Sequence, residues 1–131
     1  MKKIVLLLTV LLAFSASMGL WANGASEGGD QIHIGVAAAN FDDKWMSYMH
    51  EGFENAAEEL GVRLTMVDGK NDPAVQQSQI DTFITQGVDA IVIVPVQIQT
   101  LGPILDETDA AGIPVVAVNR RPDEPVLSRL A

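Results

Sequence analysis

The sequence predicts an α/β fold built on a doubly wound parallel sheet, and three observations predict it. From residue 32 onward, strand-like runs alternate with amphipathic helical segments. Two of the runs, AIVIV (90–94) and PVVAV (114–118), are almost continuously apolar, as strands covered on both faces are. Glycines at 61, 87 and 112 close the helical segments just before the next strand begins. A β-α-β-α-β-α-β order with short connections implies parallel strands joined by right-handed crossovers.

Each element has its own local reason. IHIGVA (32–37) reads as the first strand. The segment from Lys44 to Leu60 reads as a helix, with Met46, Met49, Phe53, Ala57 and Leu60 spaced at three and four residues. VRLTMVD (62–68) is the second strand, and NDP (71–73) opens a helix whose inward residues are Val75, Ile80, Phe83 and Ile84. Between the two apolar runs, a third helix carries Leu101, Ile104, Leu105, Thr108 and Ala111 on one side.

The N-terminus has a different character. MKK ahead of IVLLLTVLLAF is a short basic region before an apolar stretch, the pattern of a secretory signal peptide, and that stretch is shorter than the ~18–20 residues a membrane span needs. We expect cleavage after Ala22, with Ala25 as the alternative, giving a signal over residues 1–22, a Gly-rich flexible leader over 23–31 and a folded region over 32–131. An exported chain without cysteine has neither disulfides nor a thiol for lipid attachment, so a periplasmic location is expected.

Without Lys2 and Lys3 the chain holds six basic and seventeen acidic residues, a formal charge of −11 with histidine neutral. Such a surface repels phosphate backbones and anionic membranes, which speaks against nucleic acid as a partner. The first strand is followed by GVAAAN rather than a glycine cradle for a dinucleotide. His33 and His50 stand apart from ligand-spaced partners and read as a strand position and an exposed helix position. DGKND (68–72) lacks the downstream glutamate of a calcium loop and reads as a turn. With no nucleophile elbow, cysteine or Ser-His pairing, we expect no enzyme, no cofactor and no metal site.

In doubly wound sheets, ligands sit beyond the carboxyl ends of the strands, near the point where strand order reverses. NFDDKWM (40–46) leaves the first strand there, and NRRP (119–122) leaves the fourth. Asp42 or Asp43 can cap the following helix, and one acid suffices for that task. Trp45 can be core or a stacking platform. A sugar favours the platform, because its hydroxyls pair with a carboxylate while its C–H face packs on an aromatic ring. Asp43 and Trp45 supply those two contacts, and Asn119 and Arg120 add a donor–acceptor amide and a planar fork of donors.

These segments, with KNDPAVQQSQIDTFITQGVDAIVIVPV and AGIPVVAVNRRP, resemble the periplasmic sugar-binding proteins of the ribose/galactose type over about residues 32–122. The FDD-x-aromatic-M pattern and QIDTFITQGVDAI look most like galactose/glucose binders and their inositol/rhizopine relatives. The resemblance implies a periplasmic-binding-protein type I lobe and a half-site in which Asp43 is the acid, Trp45 the stacking aromatic, Asn119 the polar residue closing the fourth strand, Arg120 its neighbour and Phe41 a further ring. It implies a monosaccharide or polyol as ligand and the permease of an ABC importer as partner; a chemoreceptor or sensor kinase is the alternative partner. Ala39 stands where galactose binders carry an aromatic, which tilts the expectation toward an inositol-like polyol or another monosaccharide. Members of that family close two similar lobes around the ligand, so we expect this chain to represent most of the first lobe, truncated, with the second missing. An isolated lobe then binds weakly, or serves as a fragment that does not bind.

Overall fold

The computed structural model describes residues 31–42 and 44–131. The proposed signal over 1–22, most of the leader and Asp43 lie outside the described residues. Four strands form one sheet: β1 (His33–Ala38), β2 (Arg63–Asp68), β3 (Ala90–Ile93) and β4 (Val115–Ala117). They alternate with α1 (Lys44–Leu60), α2 (Pro73–Gln86) and α3 (Leu101–Ala111), and a short α4 (Glu124–Leu127) follows β4.

All pairings are parallel and the strand order is β2-β1-β3-β4. The chain therefore steps one way from β1 to β2 and then crosses to the other side of β1. The reversal falls between β1 and β3, where Val36 is in register with Val92 and Ala37 with Ile93.

Strand alternation divides the core into two layers. Ala37, Ile91, Ile93 and Val115 point to one face and pack with Ile80 and Phe83 of α2 and with Leu101, Ile104 and Leu105 of α3. On the opposite face, Ala38 and Val94 pack with Ala39 and with Met46 of α1 in a smaller cluster. Small residues on β1 let the helices approach closely. Gly35 is the extreme case, because a Cβ there would lie 2.7 Å from the Phe83 ring.

Local signals set the boundaries. Asp72 accepts from the N–H groups of Ala74 and Val75 at 2.8 and 3.4 Å, capping α2 ahead of Pro73. Gly87 and Gly112 end α2 and α3 in the left-handed conformation with φ of 64° and 71°.

Several expectations need correction. Leu60 belongs to the apolar stripe of α1 but is 72% exposed, because the stripe outlasts the surface it packs on and the chain turns away at Gly61. Ala111 is exposed for the same reason at the end of α3. In α2 the deeply buried neighbour of Ile80 and Phe83 is Gln76, whereas Val75 is half-buried. β4 is not covered on both faces: Val116 is 39% exposed, since α1 lies over β1 and β2 and no other described helix covers that side. His50 is half-buried rather than exposed, meeting Phe41 edge to face with ring centroids 5.3 Å apart and Glu54 at 3.1 Å.

The segment after NRRP also folds. Val126 and Leu130 pack against the larger cluster, and Arg129 pairs with Asp106 and Asp109 of α3 at 2.9 and 2.7 Å.

Candidate functional site at the carboxyl edge of the sheet

Three exit loops meet along the carboxyl edge: residues 39–42 after β1, 94–97 after β3 and 118–121 after β4. The β1 and β3 loops flank the point of reversal directly. Half-buried Phe41, Val96 and Val118, one from each loop, pack against the cluster of Ala38, Ala39, Met46 and Val94. An apolar floor thus ties the loops together beneath their polar residues.

The β1 loop is fixed by its own polar contacts. Asn40 Oδ1 accepts from the Asp42 N–H at 3.0 Å, and Asn40 Nδ2 donates to Asn71 Oδ1 at 3.0 Å. Backbone N–H groups of Gly69 and Asn71 donate to Ala38 and Ala39 at 2.9 and 2.8 Å. Lys70 and Asn71 adopt positive φ of 52° and 55° to make this crossing, and a Cβ on Gly69 would stand 2.6 Å from the Ala38 oxygen. The β2 exit is therefore strapped to the β1 exit.

Trp45 lies in the first turn of α1 and is 49% exposed, so its indole is neither sealed in the core nor fully in solvent. Lys44, beside it, places its ammonium 5.9 Å from the ring centre of the exposed Tyr48. Phe41 is half-buried against His50 and the apolar floor.

At the β4 exit, Asn119 has φ of 70°, and the Arg120 N–H donates to the Val118 carbonyl at 2.9 Å. A bond from residue i+2 back to residue i around a positive φ is the rarer, strained γ-turn. Its effect is to lift the exposed Asn119 amide out of the strand line. Arg120 reaches back across the rim, donating from Nη1 to the Val96 carbonyl.

The β3 loop was missed by sequence reasoning, and so was the residue that holds it. Gln76 is 1% exposed and bonds to Ala37, Val94 and Val96. A signal existed: residues 76, 80 and 83 keep helical spacing, so a glutamine stood in line with Ile80 and Phe83.

The arrangement is a rim that carries the Asn40 and Asn119 amides and the Arg120 and Arg121 guanidinium groups beside an apolar floor, with the half-exposed Trp45 in the first turn of the adjoining α1. It offers hydrogen-bond partners and a flat ring, the contacts a polyhydroxylated molecule uses.

A sequence profile described as the periplasmic binding protein domain matches residues 34–130. The chain belongs to the periplasmic binding protein domain family. Within it, a Rhizobium meliloti protein named for rhizopine binding is 46% identical over 90 residues, covering 68% of this chain and 29% of its own length. The xylitol-binding protein of Mycolicibacterium smegmatis is 34% identical over 122 residues, covering 91% of this chain and 35% of its own. Among solved structures, an ABC transporter solute binding protein from Bacillus halodurans with bound myo-inositol superposes with a TM-score of 0.69 at 30% identity, over 81% of this chain and 36% of that one. The periplasmic binding protein relatives are named for binding, not for catalysis, and this chain spans about a third of their length.

Proposed function

We propose that this chain supplies one lobe of a periplasmic binding protein that captures a monosaccharide or polyol for an ABC importer. The observation that carries the proposal is the meeting of the β1, β3 and β4 exit loops at the point of strand reversal, with Trp45 half-exposed and Asn119 lifted by a strained turn. Asp43 and Trp45 grip one side of the ligand, the carboxylate through paired hydroxyls and the indole through the C–H face. Asn119 and Arg120 serve the other side, and Phe41 sets the floor beneath them.

An inositol-like polyol is the preferred ligand class. Support comes from the absence of an aromatic at Ala39 and from relatives described with rhizopine, xylitol and myo-inositol. The importer is preferred over a receptor as partner because the Bacillus halodurans neighbour is described as an ABC transporter protein. Residues 1–22 direct export to the periplasm, residues 23–31 form a leader and residues 32–131 form the lobe; a second lobe closes the site.

Calorimetric titration of myo-inositol, xylitol and a panel of monosaccharides tests the proposal, using the chain alone and a version completed with a second lobe. Saturable binding by the two-lobed protein is expected, with far weaker binding by the single lobe. Silence of both across the panel contradicts it.

A further inference from the structure

Gln76 is a polar side chain inside an apolar core, and both of its N–H donors and its amide oxygen bond to backbone where β1 and β3 lie side by side. Its Nε2 donates to the carbonyls of Ala37 and Val94 at 3.2 and 3.0 Å, and its Oε1 accepts from the Val96 N–H at 2.9 Å. Only this orientation of the amide satisfies all three groups, since the reverse sets an oxygen against two carbonyls and an NH2 against an N–H. Buried polar groups held this completely specify one local arrangement.

Val96 is gripped a second time, because Arg120 Nη1 donates to its carbonyl from the β4 exit. One residue of the β3 loop therefore joins a buried amide on α2 to an exposed guanidinium at the rim. Val96 also packs on the floor with Phe41 and Val118.

We propose that Gln76 is a positioning residue for the rim: by fixing Val96 it fixes where Arg120 presents its guanidinium. The functional value of this placement rests on the polyol-binding proposal above. With one of its five N–H donors anchored on Val96, the guanidinium meets a ligand with part of its side-chain freedom already lost, which lowers the cost of binding.

The test uses the ligand-free chain. Gln76→Met keeps an unbranched side chain of similar reach and removes all three bonds. Amide exchange at Val96 is expected to accelerate by about tenfold or more, while the Val94 N–H, held by Ala37, keeps its protection. The Arg120 Nε–H resonance should broaden or move toward its solvent-averaged position. An Arg120 resonance unchanged in Gln76→Met overturns the proposal.

Arg120→Ala provides a second arm that does not disturb the core. Val96 exchange should stay within about twofold of the parent, because Gln76 still holds it. Loss of Val96 protection in Arg120→Ala makes Arg120 the holder and overturns the proposal. These readouts need no ligand, so a silent polyol titration beside intact coupling removes the polyol and leaves the Gln76 clamp standing.

Discussion

The ring of Phe83 occupies the place where a side chain at Gly35 would begin, with Cδ2 2.7 Å from that Cβ position. Both residues are at the centre of the larger core layer, so neither has room to yield. Gly35→Ala should destabilise by about 1–3 kcal/mol through overpacking, and Phe83→Ala by about 3–5 kcal/mol through the cavity it leaves. Urea denaturation checks both. A Gly35→Ala protein as stable as the parent would show that α2 lifts from β1 freely.

His33 should make stability fall in mild acid. It is 7% exposed, its Nδ1 accepts from Arg63 Nη2 at 2.9 Å, and its Nε2–H donates to Thr65 Oγ1 at 2.8 Å. Burial, then the Arg63 charge, lower its pKa below the ordinary 6.5, against an opposing pull from Asp89. The unfolded chain then binds more protons than the native one between the two values. Stability is complete above pH 6.5 and is lost as pH falls below it toward the lowered value. Urea midpoints at pH 7.5 and 5.5 should differ in the parent and differ less in His33→Asn.

Replacing Asp72 by Ala removes the side-chain cap of α2 and should cost about 0.5–2 kcal/mol. Because Asp72 adjoins the strapped loop at Lys70 and Asn71, the loss should also speed amide exchange at Asn71, whose N–H is held by Ala39. Thermal unfolding and hydrogen exchange measure the two effects separately.

Asn119 should separate stability from binding. Its φ of 70° suits glycine, so Asn119→Gly should fold at least as stably as the parent while losing the exposed amide. A β-branched residue there, Asn119→Val, should cost about 1–3 kcal/mol. Thermal unfolding of the two variants gives the order. A more stable Asn119→Val would rule out the strained turn.

Much of the fold was legible because periodicity and punctuation agreed. The bounds of α1, Lys44–Leu60, follow from apolar spacing and a glycine, and the Asp72–Pro73 start of α2 follows from cap chemistry. What sequence alone left hidden depends on neighbours. Val116 reads like Val115, and only the position of α1 over β1 and β2 leaves it exposed. The places of Trp45 in the first turn of α1 and of Asn119 at the β4 exit were legible from periodicity and loop position, whereas Gln76 acts across the strand reversal, through partners 18 to 39 residues away in the chain. α4 escaped notice because four residues carry too little period to read.

Trp45 and Trp21 are the two tryptophans of the chain, so Trp21→Phe leaves Trp45 as its sole indole reporter. The most direct measurement is Trp45 emission in the two-lobed protein, every other tryptophan replaced by phenylalanine, titrated with myo-inositol, xylitol and monosaccharides alongside calorimetry. The expected result is a saturable change in Trp45 emission that follows the heat of binding, with affinity reduced about tenfold or more in Asp43→Asn. Binding heat with Trp45 emission unmoved, or no binding by any of these ligands, would contradict a carbohydrate site at this rim.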